Sequence, residues 1–200
     1  MVHVTKQDKL LSWRRPFSVK GRLSLFASLL AASLVASPAA VWAETVKAET
    51  YQAPAAFIAN AFGGSAPRPK TLWLKPDLQE QIASIMDHPL NALRLRYWRE
   101  GGRTAWILEK IGKEQPITAG FVVEDDKLIE TNVLVYRESR GWEVKYPAFR
   151  NQFAGAMLDD NRQLDTNIDG ISGATLSVNA MRKMARLALF LHAHVLAKGA

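Results

Sequence analysis

The chain has 200 residues, of which 48% are hydrophobic and 22% charged, with 26 basic against 19 acidic side chains and a formal net charge of +7. That is the length of one ordinary domain and a globular composition, which excludes disordered, collagen-like and multi-span membrane classes. There is no cysteine, so disulfides, zinc knuckles, iron–sulfur clusters, thiol nucleophiles, c-type haem attachment and a lipid anchor on cysteine are excluded as well.

Residues 1–43 read as a leader rather than as fold. Lys6, Lys9, Arg14, Arg15, Lys20 and Arg22 precede the apolar run Leu23 to Val35, and Ser37, Pro38 and Val41-Trp42-Ala43 follow. This is the layout of a secretory signal peptide cut after Ala43. The apolar run is shorter than the roughly 20 residues of a membrane-spanning helix. An uncleaved segment running on to Trp42 would instead anchor the protein in the membrane. Arg14-Arg15-Pro16-Phe17 resembles part of a twin-arginine export signal, so the sequence leaves the export route open between that and the general secretory one. The leader holds six basic residues and one acid, which leaves the remaining 157 residues at 20 against 18 and a net charge of +2. The basicity is therefore a property of the targeting segment, and no nucleic-acid partner is expected.

Residues 44–75 form an extended or partly helical lead-in, with a short helix expected at Pro54 to Phe62 before Gly63-Gly64-Ser65, Pro67 and Pro69. The domain proper is placed at residues 76–200. Pro76-Asp77 opens a helix to about Met86, with Leu78, Ile82, Ile85 and Met86 at helical spacing. Strands are expected at Leu93 to Arg99, Arg103 to Ile111, Pro116 to Val123 and Leu128 to Tyr136. The three- or four-residue connections between them suit hairpins and are too short for parallel crossovers. Ile117, Ala119, Phe121 and Val123 alternate in the third strand, and Ile129, Val133 and Val135 in the fourth. A further short strand is expected at Trp142 to Tyr146. Leu176, Ala180, Met184, Leu187, Leu191 and Val195 define an amphipathic helix from about Thr175 to Ala197. The fold class is thus α+β: an antiparallel meander sheet of four to five strands covered by a short helix and a long C-terminal helix.

Chemistry concentrates in Asp169-Gly170-Ile171-Ser172-Gly173-Ala174-Thr175, directly before the long helix. Ser, Thr and Asp favour helix starts, and Gly173 and Ala174 keep bulk away from the free N–H groups at the positive end of the helix dipole. Such a start suits a phosphate. The Thr175 hydroxyl is placed either to touch a phosphate noncovalently or to be esterified to it. A purely structural role, in which Ser172 or Thr175 caps the helix, is the alternative.

With its aspartate, two variable residues, Ser, Gly, Ala and Thr, this segment resembles the modification motif of the FMN-binding domain family. That family includes the covalent-flavin subunits of sodium-translocating NADH:quinone reductase and of Rnf-type complexes. The resemblance implies that a flavin transferase using FAD and magnesium joins FMN through its phosphate to Thr175, with Ser172, Gly173, Ala174 and Asp169 as cofactor-binding residues. It extends over roughly Arg103 to the C-terminus. The larger complex subunits carry an uncleaved anchor and a Glu-Thr-rich segment with glycines, where this chain has Glu138-Ser139-Arg140-Gly141, so it resembles a small stand-alone member. The implied role is that of a periplasmic redox carrier, or a subunit of an electron-transfer system, between a membrane electron donor and a periplasmic acceptor, rather than a stand-alone catalyst.

The alternatives are a noncovalent module for FMN or another phosphate-bearing ligand, and a hydrolase that cleaves itself before Thr175 to use the threonine as nucleophile. No catalytic acid, base or metal is assigned. Trp98, Trp106, Tyr136 and Trp142 are equal candidates to stack on a flavin ring. His192 and His194 diverge on a helix and read as solvated, and Asp159, Asp160 and Asp165 as a solvated loop.

Overall fold

The computed structural model describes residues 48–198. The expected leader and its cleavage position lie outside the described residues.

Six antiparallel strands form one sheet, in the order β1-β6-β5-β4-β3-β2. They are β1 (Glu49–Thr50), β2 (Lys70–Trp73), β3 (Arg94–Glu100), β4 (Arg103–Ile111), β5 (Pro116–Glu124) and β6 (Lys127–Tyr136). The hairpins from β3 to β6 form the expected meander. The two further strands come from the lead-in segment and make both sheet edges. With two and four residues, they are too short for an alternation to show.

Helix α1 (Pro54–Ala61) lies on one face of the sheet, where Phe57 and Ile58 pack with Ala105, Val122 and Leu134. Gly120 of β5 makes this possible, because a Cβ there would stand 2.5 Å from the Phe57 ring. Helices α2 (Pro76–Met86) and α4 (Thr175–Ala197) cover the other face, packing Ile82, Ile85, Met181, Met184 and Leu187 on Trp106, Phe121 and Val133. Strand β5 is therefore buried on both faces, not only at its alternating positions.

Three expectations are corrected. Residues Trp142–Lys145 form a 3-10 turn rather than a strand, between the left-handed Gly141 and Pro147, where the short helix α3 (Pro147–Arg150) begins. In β6 the pairing slips by one residue at two places, between Val123↔Leu128 and Val122↔Glu130 and between Ala119↔Val133 and Thr118↔Val135. Extra residues at such slips switch faces, so Ile129 is exposed while Leu128 and Leu134 are buried. Neither histidine of α4 is solvated: His194 is half-buried against Phe190, and His192 is fully buried.

His192 sits where α4 crosses the start of β4. Trp106 Nε1 donates to Thr104 Oγ1 at 2.9 Å, and that hydroxyl lies 2.8 Å from His192 Nδ1. His192 Nε2 faces the Asp126 carboxylate at 3.6 Å across the β5–β6 turn. At the other end of the helix Ser177 meets Tyr136, the last residue of β6. These two polar contacts, one near each end, fix the direction in which α4 lies across the sheet.

Burial holds the His192 imidazole below its ordinary pKa, against the opposing pull of Asp126. Below about pH 6.5 the unfolded chain then binds more protons than the folded one, so stability falls as the medium becomes more acidic. The expected outcome is a stability-against-pH slope between pH 6.5 and 5 that is measurably shallower in His192→Asn than in the parent, read by urea denaturation. The difference has an upper limit of about 1.4 kcal/mol per pH unit.

Candidate functional site

The segment before α4 reaches the helix as an uncapped start. The residue at the cap position is Ala174, and no side chain accepts from the first turn. The backbone N–H groups of Thr175, Leu176 and Ser177 find no acceptor among the described residues. A helix of 23 residues thus presents its positive end and a fan of free donors to solvent. Neither Ser172 nor Thr175 caps the helix, and both are exposed. Gly173 supplies the left-handed turn (φ +79°) that swings the chain into the helix.

The N–H fan opens on a cleft of about 520 Å³, within the size range of cofactor sites. Gly173, Ala174, Thr175, Leu176 and Ser177 form one wall, and Lys113, Glu138, Ser139 and Arg140 the other. Among the sequence-derived candidates, Gly173, Ala174 and Thr175 meet in this cleft, while Ser172 and Asp169 do not line it. Asp169 instead belongs to the loop that approaches the motif. Its backbone N–H donates to Gln152 Oε1 at 2.7 Å, and its carboxylate accepts from Asn167 Nδ2 at 3.3 Å.

Sequence reasoning missed Lys113, Arg140 and the two groups that hold the opposite wall in place. Glu138 Oε1 accepts from the backbone N–H groups of Lys113, Glu114 and Gln115 at 2.5, 2.7 and 3.0 Å, which ties the loop after β6 to the β4–β5 turn. Tyr136 donates its hydroxyl proton to Arg140 O at 2.5 Å, and its oxygen accepts from Ser177 Oγ at 2.9 Å. Burial pushes the Tyr136 pKa up to about 12, so it remains a neutral donor. Gly141 closes the knot at φ +82°, where a Cβ would lie 2.6 Å from Ser177 Oγ and 2.9 Å from the Tyr136 hydroxyl. A carboxylate and a glycine flanking two polar residues just after a strand were the available signals.

The aromatic candidates separate by burial. Trp106 is a core residue stacked on Tyr97 at 4.9 Å, Tyr136 is consumed by the knot, and Trp98 packs with the α1 face of the sheet. Trp142 is 40% exposed and follows Gly141 directly, with its ring edge-on to Tyr146 at 5.5 Å and outside the lining of the cleft. Among the described residues no three His, Asp or Glu side chains converge as a metal site. Asp159 and Asp165 brace their loop instead, accepting from the backbone of Asn161 and Gln163 and of Met157 respectively.

Residues 112–189 match the family model described as FMN-binding domain. The match spans the β4–β5 turn, β5, β6, every residue lining the cleft and α4 as far as Leu189. No individual curated protein matches the chain.

The knot carries a mutational consequence. Gly141→Ala combines a left-handed backbone with a clash and is expected to cost about 2–3 kcal/mol. Tyr136→Phe removes two hydrogen bonds and is expected to cost about 1–2 kcal/mol. Both are read as a lower urea midpoint at unchanged slope.

Proposed function

Because residues 112–189 belong to the FMN-binding domain family, the protein is an FMN-binding flavoprotein, and we propose that its flavin is held covalently, as a phosphoester on Thr175. The observation that carries this reading is the exposed Thr175 hydroxyl on the first turn of α4, beside three unpartnered N–H groups and facing Lys113 and Arg140. A phosphodiester monoanion formed on that oxygen meets the free N–H donors directly, with the unpaired Arg140 across the cleft and Lys113 exchanging its Glu114 partner for the phosphate. A flavin transferase using FAD and magnesium supplies the group. The Thr175 oxygen bonds to the FMN phosphorus, the phosphoanhydride bond to AMP breaks, and the hydroxyl proton is released.

Bound there, the cofactor supplies one- and two-electron chemistry, and the chain needs no acid or base of its own. Its residues hold and shield. Lys113 and Arg140 balance the phosphate charge, Glu138 ties their two loops together, and Leu176 offers exposed apolar surface beside the attachment point. Asp169 stands outside the cleft on the motif loop, where its carboxylate is accessible to the transferase. The physiological role is that of an exported carrier, delivered by a cleaved leader, that relays electrons from a membrane donor to a periplasmic acceptor. The same N–H fan would serve a noncovalent module, from which flavin is lost on denaturation.

In cells making an active transferase, intact mass of the parent protein is expected to show one FMN less one water on the peptide containing Thr175. Thr175→Ala is expected to fold and carry none, and Thr175→Ser to retain a fraction. Thr175→Ala that still carries covalent flavin, or a parent that stays unmodified, overturns the assignment.

A further inference from the structure

The sheet end at which α4 begins is unusually apolar at its surface. Trp73, Leu93 and Ile111 are 60%, 80% and 59% exposed. Trp73 ends β2, Leu93 precedes β3 and is joined to the residue after Trp73 by the Leu74 N–H to Leu93 O bond at 3.0 Å, and Ile111 ends β4. Ile111 stands two residues before Lys113, on the wall of the Thr175 cleft. Leu176, on the first turn of α4 at the same end of the sheet, is half-exposed as well.

Cations predominate among the unpaired charges there, beside one carboxylate, Asp77 in the first turn of α2, that also has no ion-pair partner among the described residues. The Arg94 guanidinium lies 5.9 Å from the Trp73 ring, and among the described residues Lys75, Arg94 and Arg140 have no ion-pair partner. The carboxylates near the cleft and the β4–β5 turn are engaged. Glu109 pairs with Arg137 at 3.7 Å, Glu114 with Lys113 at 3.1 Å, and Glu138 with three backbone N–H groups. Strand β1 also starts at this end, since Glu49 pairs with Tyr136.

We propose that this end of the sheet is a docking face for an anionic membrane surface. Trp73, Leu93 and Ile111 enter the boundary between headgroups and acyl chains, while Arg94, Lys75 and Arg140 meet lipid phosphates. Exposed aromatic and aliphatic side chains ringed by unpaired cations are the combination by which peripheral proteins lie on anionic lipid. The geometry turns the Thr175 cleft toward the bilayer, within reach of a donor embedded in it. Docking does not depend on the flavin, and it fails or holds separately from the assignment of Thr175.

The test is co-sedimentation of the protein with phosphatidylcholine vesicles that contain or lack phosphatidylglycerol. The parent is compared with a Trp73→Ala/Leu93→Asp variant carrying the same N-terminus and showing the same thermal melt. The parent is expected to bind the phosphatidylglycerol vesicles, and the variant to bind them about tenfold less. Arg94→Glu is expected to weaken binding chiefly at low salt. Equal binding by parent and double variant overturns the proposal, as does a parent that stays in the supernatant. A parent that ignores vesicles but crosslinks through position 93 to an acidic protein overturns it in favour of a protein partner.

Discussion

Three chain segments converge on the hydroxyl of Tyr136. It ends β6, it donates to the carbonyl of Arg140 in the following loop, and it accepts from Ser177 in the first turn of α4. A buried phenol with both bonds made costs little to bury, and removing either partner would leave a polar group stranded in the core. The bond fixes where a 23-residue helix starts relative to the sheet. Everything in the cleft follows from that: the outward fan of N–H groups, the exposed Thr175, and the loop from Glu138 to Gly141 that faces them.

The absence of a cap on α4 belongs to the same logic. Ser or Thr at a cap commonly stabilises a helix by about 1 kcal/mol over a residue such as alanine. Here Ser172 and Thr175 are close by in sequence, yet neither is used that way, and Ser177 is turned toward Tyr136 instead. Donors that a cap would have consumed remain free for a ligand. Across the cleft the opposite arrangement holds, because one oxygen of Glu138 takes three backbone N–H groups of the β4–β5 turn. An acidic residue can therefore line this cleft while much of its charge is answered locally.

Much of this was legible in the sequence. The strands from β3 to β6 were bounded by turn residues, and the start of α4 at Thr175 by a run of small residues followed by helical periodicity. What escaped notice depended on tertiary contact. Strands β1 and β2 are too short to carry a pattern and exist because longer neighbours offer them partners. The spacing of His192 and His194 excludes a shared metal but says nothing of burial, whereas His192 lies eight residues after Met184 on the buried side. Trp142 lay in a segment of strand-like composition whose direction is set by Gly141. Lys113 and Arg140 lie on separate loops that meet the motif only after the sheet has formed.

The brevity of the two outer strands has a bearing on self-association. Exposed sheet edges are templates for pairing with other chains, and proteins limit the risk with short, charged or proline-bearing edges. Strand β1 offers two residues and β2 four, the latter directly after Pro69. Where β3 parts from β4 beyond the Tyr97–Trp106 pair, the longer open stretch carries Glu109 and Lys110. The most aggregation-prone strand, the apolar β5, is paired on both sides and covered on both faces. By pairing with Val135 and Tyr136 of β6 and with Arg94–Tyr97 of β3, the segment before residue 76 also serves as a guard over the corners of the sheet, in lengths too short to recruit a neighbouring molecule themselves.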